Sequence, residues 1–426
     1  MAEARFQKDK DRDAGPSRRS LLALDALNVV LADVRDGLGP YLAIYLASVR
    51  HWDAARIGIA MLAMGIAQVA AQTPAGALID YTRRKRLVLG LAAAVIAAGS
   101  IAMVTVPSFA VILGAQAILG ASSAAFAPAL AAVSLGLVGH AALARRMGRN
   151  EAFNHAGNVL AAVLAGAIGD LIAYEGIFYL LAGMCLVSIA GSLLIRGEEI
   201  DYELARGGEG TGHRVAGLGE LLRDRRLATF ALAAVLFHFA NAAMLPLVGQ
   251  KLTAGRDHGV AGAMSACIIA AQVVMVPVAL LASRLAETWG RKPVFLLGFA
   301  ILPVRGILYT FSTNPYFLVA VQLLDGIGAG IFGVVSVLVV ADLTRGTGRF
   351  NVTQGALATA VGLGASLSNL MTGFIVRRAG FDVGFLTLAA IAAAACLFYA
   401  VRMPETGPSQ GADRWPTSLA LAALPE

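Results

Sequence analysis

The sequence predicts an all-α membrane protein: twelve transmembrane helices in two six-helix bundles, with both termini on the cytoplasmic face. Three observations carry that expectation. Of the 426 residues, 58% are hydrophobic and 14% charged, and the mean hydropathy is +0.72. A soluble domain carries about 25% charged residues, and a single aqueous core stops growing near ~250–300 residues. Apolar stretches long enough to cross a bilayer recur twelve times, and the two halves of the chain echo one another.

A crossing helix needs about 20 mostly apolar residues. Residues 1–20 are polar, with Lys8, Lys10, Arg18 and Arg19, and read as a cytoplasmic tail rather than a secretory signal. The first bundle is expected over residues 21–195, with spans at 21–48, 57–79, 87–106, 109–138, 151–173 and 176–195. The polar stretch 196–226, which opens with Arg196, Glu198, Glu199, Asp201 and Glu203, is the expected cytoplasmic link. The second bundle, residues 227–402, has spans at 227–249, 260–283, 293–312, 316–341, 353–376 and 382–402. Residues 403–426, with Pro404, Gly407, Pro408 and Gly411, read as a mostly disordered cytoplasmic tail.

The formal net charge of +7 and pI near 9.5 do not mark a nucleic-acid partner. The bases sit in short clusters between apolar spans: Arg83 to Arg86, Arg145-Arg146, Arg225-Arg226 and Arg291-Lys292. With the N-terminus inside, cytoplasmic segments hold 26 of the 34 Lys and Arg, the outer loops hold six, and Arg35 and Arg305 lie within spans. That asymmetry sets the orientation. Cys185, Cys267 and Cys396 all fall in apolar stretches without metal-site spacing, so no metal or cofactor is expected.

The echo between the halves is local and specific. Residues 76–86 read Gly-Ala-Leu-Ile-Asp-Tyr-Thr-Arg-Arg-Lys-Arg, and residues 283–293 read Ser-Arg-Leu-Ala-Glu-Thr-Trp-Gly-Arg-Lys-Pro. Asp80 matches Glu287, Arg84 matches Arg291, and Lys85 matches Lys292. A second echo aligns Gly148-Arg149-Asn150-Glu151 with Gly348-Arg349-Phe350-Asn351, and Asn154 with Gln354.

On these residues the chain resembles the major facilitator superfamily over about residues 20–402. The superfamily's loop motif is Gly, three residues, Asp, a base, one residue, Gly, one residue and two bases. Gly76, Asp80, Lys85 and Arg86 match it, while Tyr81 and Arg83 depart; the second copy keeps Glu287, Gly290 and Lys292 beside Arg291. The glycine-rich motif of antiporters is reduced in the fifth span to Gly157, Gly166 and Gly169. The resemblance implies a transporter whose first, fourth, seventh and tenth helices line a central cavity. The loop acids and bases, with Glu151 and His155 at the start of the fifth span, are the expected cytoplasmic gate. Glu151 and His155 are one turn apart and within pairing reach.

Charges inside the bilayer cost roughly 2.5–3.5 kcal/mol each, and such residues mark function by default. Asp33, Arg35 and Asp36 lie deep in the first span. At about 100° per residue they share an arc of about 160° with Asp25 and Asn28, which is expected to face the cavity. Gln116, His238, Asn241, Arg305, Gln322 and Asp325 are the expected partners on other spans. Asn28, Asp33, Arg35 and Asp36 join them as candidates for substrate binding or proton coupling. The string Gly326 to Gly333 contains GxGxxG, but it sits inside an apolar span without the strand a dinucleotide site requires, so helix packing explains it.

The function expected from these residues is secondary active transport by alternating access. No GxxxxGK[ST] phosphate loop is present, so an ion gradient is the expected drive. Asp25, Asp33, Asp36 and Asp325 outnumber Arg35 and Arg305, leaving a carboxyl able to carry a proton. Arg35 and Arg305 suit a small charged or zwitterionic substrate, such as a carboxylate or phosphate. A uniporter, or an exporter that binds cations or drugs at Asp33, Asp36 and Asp325, is the alternative. A membrane-embedded enzyme using Asp33 and Asp325 leaves the duplication and the loop motifs unexplained, and a channel would not need the paired cytoplasmic gates. The expected partners are the substrate, protons and lipid, with the chain monomeric, no catalytic residue and a bacterial inner membrane as the location.

Overall fold

The computed structural model describes residues 16–34, 39–202, 205, 225–254, 258–343 and 350–407; the side chains of Asp33 and Asp80 fall outside what is described. The described chain is helical, with no strand. In the first half the helices are α1 (Arg18–Val34), α2 (Gly39–Ser48), α3 (Ala54–Tyr81), α4 (Lys85–Thr105), α5 (Phe109–Ser123), α6 (Phe126–Leu171) and α7 (Glu175–Leu194). In the second they are α8 (Arg225–Ala242), α9 (Met244–Thr253), α10 (Val260–Thr288), α11 (Arg291–Leu308), α12 (Pro315–Leu343) and α13 (Phe350–Arg402).

Local chemistry sets several ends. The Asp53 carboxylate accepts the Arg56 N–H at 3.0 Å and starts α3; the Ser108 hydroxyl accepts the Val111 N–H at 3.3 Å and starts α5. Such caps contribute about 1 kcal/mol each. Two glycines in left-handed backbone divide long helices: Gly139 (φ 68°) separates the fourth crossing from the fifth within α6, and Gly380 (φ 84°) turns the eleventh into the twelfth within α13. Other residues resist that region, so the breaks are written in the sequence.

Nine described segments are long and apolar enough to span a membrane. They cover ten of the twelve expected crossings, the last segment holding two. Of the other two, the first is described as α1 and α2 on either side of residues 35–38, and the ninth, α11, carries Arg291, Lys292 and Arg305; the eleventh and twelfth run together through Gly380. Large apolar side chains such as Leu91, Leu186, Leu280 and Leu397 are exposed on the outer surface, where lipid covers them.

The duplication reappears as packing. In the first half α3 packs on α5, α4 on α7 and α1 on α6; in the second α10 packs on α12 and α11 and α8 on α13. Glycine permits the closest approaches at matching places. A Cβ on Gly120 would strike the Met64 carbonyl, and one on Gly326 the Ala271 carbonyl. Likewise Gly157 lies against Val29, and Gly364 against Val235. This register corrects the second sequence echo: Gly157 pairs with Gly364, so Asn154 corresponds to Val361 rather than Gln354, two turns away. It also explains Gly326 and Gly330 of the glycine-rich stretch 326–333 by contacts with α10, whereas a Cβ on Gly333 would meet nothing.

The halves meet along α3 and α13, α6 and α10, and α2 and α9. They are held together at the face opposite Arg18 and Arg225. There Tyr41 and Ser265 share a hydrogen bond of 2.8 Å, and Ser265 donates to the Ala162 carbonyl at 2.6 Å. The Asp170 carboxylate, near the end of α6, accepts the Ala261 and Gly262 N–H groups of the first turn of α10 at 3.0 and 2.7 Å. Nearer the middle, His155 Nδ1 meets Gln272 Oε1 at 2.9 Å and Thr359 donates to Gln72 at 3.3 Å.

Candidate functional site

A buried polar network occupies the second half. Arg305 on α11, only 2% exposed, donates to Asp325 on α12 and to Asn241 on α8, with its Nε 3.3 Å from the Met244 sulfur. Gln322 donates to the other Asp325 oxygen at 2.8 Å, and the Tyr309 hydroxyl donates to Gln322. The sequence named Asn241, Arg305, Gln322 and Asp325, and the structure brings them together. It missed Tyr309, which follows Arg305 by one helical turn. Because both oxygens of Asp325 are bonded, its charge is matched inside the half.

The first half settles its acid differently. Asp25 is buried and binds Arg146 at 2.6 Å and Arg149 at 2.7 Å. Arg146 continues to Asn150 at 2.8 Å, which donates to Ser134 at 2.9 Å. Asn28 turns back to its own helix and donates to the Leu24 carbonyl at 2.8 Å. The expectation that this arc of the first helix faces the cavity is therefore corrected at Asp25 and Asn28: α1 packs that stretch against α6, whose arginines neutralise it. Asp33's side chain, Arg35 and Asp36 lie outside the described residues.

Other predicted residues find local partners. His238 is held by the Ala234 carbonyl at 3.1 Å and by the rings of Phe237 and Phe332, 5.4 and 4.4 Å away. Its surroundings are those of a packed side chain. Lys85 is fully buried and reaches back to the Ile79 carbonyl, while Arg86 donates to the Ile195 carbonyl. In the second half Arg291 donates to the Ala286 carbonyl at 2.7 Å and pairs with Asp342 at 3.2 Å. These loop bases thus satisfy orphan carbonyls at helix ends within their own half.

Gly290 (φ 99°) admits the turn into α11, and Glu405 accepts the N–H groups of Arg291 and Lys292 at 2.8 and 3.0 Å. Burial raises the Glu405 pKa, but the N–H donors of Gly407, Lys292, Arg291 and Thr406 outweigh it and hold the carboxyl below its ordinary value. The start of the expected disordered tail is thus tied down, and its physical cause is this cap. Of the remaining gate residues, Glu287 and Glu151 are exposed, Gly76 has open space at its Cβ position, and the Asp80 side chain lies outside the described residues. His155 bonds to Gln272 across the halves rather than to Glu151, a correction to the expected pairing.

A cavity of about 260 Å³ lies between the halves, with α2, α3 and α5 on one side and α13 on the other. Its polar groups are Gln68, Gln72, Gln116, Ser366 and Asn369. Of the predicted residues whose side chains are described, only Gln116 lines it. The others were missed because neutral residues stand out less than charges in an apolar span. Their spacing carried the signal: Gln68 and Gln72 are one turn apart, as are Ser366 and Asn369.

Known proteins agree with this architecture. The family model described as Major Facilitator Superfamily matches residues 26–284 and 253–423. Two proteins named uncharacterized MFS-type transporters, from Mycobacterium tuberculosis strains CDC 1551 and H37Rv, are each 53% identical over 389 residues, covering 90% of this chain and 93% of theirs. Two crystal structures of the nucleoside transporter NupG superpose with TM-scores of 0.78, for a point mutant, and 0.73. They cover 90% and 89% of this chain and 100% and 98% of theirs, at 15% identity, which speaks to the fold alone. Two duplicated helical halves around a polar cavity, with sequence kinship along nearly the whole length, place this chain in the Major Facilitator Superfamily, as an integral multi-pass membrane transporter and not an enzyme.

Proposed function

We propose that the protein is a secondary active transporter working by alternating access in a bacterial inner membrane, as a monomer, with both termini cytoplasmic. The observation that carries this reading is the cavity between two like-packed halves, joined at one face by Tyr41–Ser265 and by Asp170 on α10. Rocking the halves about that cavity would exchange the joined face for the other. The Lys and Arg asymmetry supports the orientation and makes the joined face the outer one.

Coupling to protons rests on the first helix. Asp25 is matched by Arg146 and Arg149, and Asp325 by Arg305, so the carboxyl in excess is Asp33 or Asp36. The test is vesicle-based alkylation. Single cysteines replacing Gln72 and Tyr41 should be labelled from opposite sides of the membrane, and a condition that raises one rate should lower the other. Rates that rise together would indicate a channel-like passage and reject alternating access.

A further inference from the structure

We propose that the cavity between α3 and α13 takes a small uncharged solute bearing several hydroxyl or amide groups. The inference rests on the transporter reading and names its substrate class.

The first argument is the wall chemistry. A carboxamide offers one acceptor oxygen and two N–H donors. Gln68 bonds to no described residue. Gln116 is buried, and its amide nitrogen contacts only the weakly accepting Met103 sulfur at 3.4 Å. Asn369 donates to the Ala365 carbonyl at 3.2 Å and keeps its own carbonyl; Gln72 accepts from Thr359 and keeps its amide hydrogens. Donors and acceptors therefore stand side by side, which is the pattern that hydroxyl and amide groups satisfy.

The second argument is where the charges went. An anion clamp was expected from Arg35 and Arg305; Arg35 lies outside the described residues, and Arg305 is buried and engaged by Asp325 and Asn241. Of the acids expected to take a cation, Asp325 has both oxygens already bonded, while Asp36 and the Asp33 side chain lie outside the described residues. Among the described residues no charged side chain lines the cavity. An ion would exchange its hydration for neutral dipoles, and that transfer is costly. A hydroxylated solute exchanges water hydrogen bonds for equivalent ones.

Size and position complete the argument. At about 260 Å³ the space falls just below the ~300–1,000 Å³ typical of small-molecule sites, so the solute is small. Gln68, Gln72 and Gln116 belong to one half, and Ser366 and Asn369 to the other. A solute bonded to both walls is gripped only while the halves are together, which couples binding to their movement.

The experiment uses the full chain in detergent. Thermal unfolding is followed with D-ribose, xylitol and nicotinamide as neutral probes, and with lactate, lysine and inorganic phosphate as charged ones, up to 100 mM. At least one neutral probe should raise Tm, and its half-saturating concentration should rise tenfold or more in Gln68→Leu and Asn369→Leu. Gln68→Glu changes the donors while keeping the shape, and should weaken the same probe if the leucine variants do not fold. The proposal is overturned if no neutral probe shifts Tm, or if the shift survives in the folded variants. It is also overturned if a charged probe alone binds. Probes that bind are then offered to proteoliposomes. Binding lost in the variants without any uptake would reject the transporter reading and leave the site standing. Uptake of a charged probe untouched by the variants would do the reverse.

Discussion

Asp170 offers the sharpest handle on the joined face. Its carboxylate accepts two backbone N–H groups from the first turn of α10, at 3.0 Å from Ala261 and 2.7 Å from Gly262. Those donors have no partner inside their own helix, and a negative charge at a helix N-terminus is favoured by the dipole. The contact joins the two halves, so its free energy enters the balance between joined and parted forms. Hydrogen bonds to a charged group contribute about 1.5–3 kcal/mol each when buried. Asp170 is only half-buried, so about 1 kcal/mol per bond is the better figure. Asp170→Ala then loses about 2 kcal/mol, a roughly thirtyfold shift toward the parted form. Asp170→Asn keeps a carbonyl acceptor but loses the charge; about 1 kcal/mol gives roughly fivefold. Spin labels at Arg50 and Thr313, one on each half at this face, read the populations as a distance distribution. The longer distance should gain weight in the order wild type, Asn, Ala, with Tm recorded to exclude unfolding. Distributions identical in all three proteins would refute the reasoning.

Three further outcomes are expected. Arg305→Met strands a buried carboxylate and should destabilise by ~3–5 kcal/mol, while Arg305→Met combined with Asp325→Leu should recover much of it, as measured by chemical unfolding in detergent. Glu405 has its carboxyl held below the ordinary value near 4.5, so the stability it contributes is complete above that pH and is lost as pH falls through the lowered value; the Tm gap between wild type and Glu405→Gln should be flat from neutral pH down to that point and then close. Reporter fusions at residues 205 and 420 should both behave as cytoplasmic, and an external reading at either would overturn the orientation.

The fold was legible because its signals are one-dimensional. A bilayer asks for apolar length, and the sequence supplies it twelve times with bases gathered between spans. The helix breaks at Gly139 and Gly380 carry their own local cause. The site was less legible because its contacts are distant and unmarked. Nothing near Asp25 in sequence points to Arg146 and Arg149, 121 and 124 residues away, since arginines beside a span read equally well as topology signals. Glu405 hid for a similar reason: a lone acid among Pro404 and Gly407 reads as a loop, and only the fold brings it to the start of α11. Gln68, Gln72 and Asn369 carry no charge, so hydropathy passes over them, and attention fell on the charged spans instead.

The placement of charge relative to the halves explains how such a molecule can move. The ion pairs of Asp25 with Arg146 and Arg149, Arg291 with Asp342, Lys251 with Asp382, and Arg305 with Asp325 each lie within one half. The pairs Asp25–Arg146, Arg291–Asp342 and Arg305–Asp325 are shielded from water, and breaking such a pair is expensive, which stiffens each half; Arg149 and Asp382 are exposed, and their pairs add little. The links between halves are of another kind: Tyr41 with Ser265, His155 with Gln272, Gln72 with Thr359, and Asp170 on backbone N–H groups. Each contributes about 1 kcal/mol net, and water can replace it when the halves part. Strong pairs inside and weak, replaceable ones between give two rigid bodies on a low barrier. A solute that hydrogen-bonds both walls of the cavity then needs to supply only a few kcal/mol of differential binding to decide which face is open.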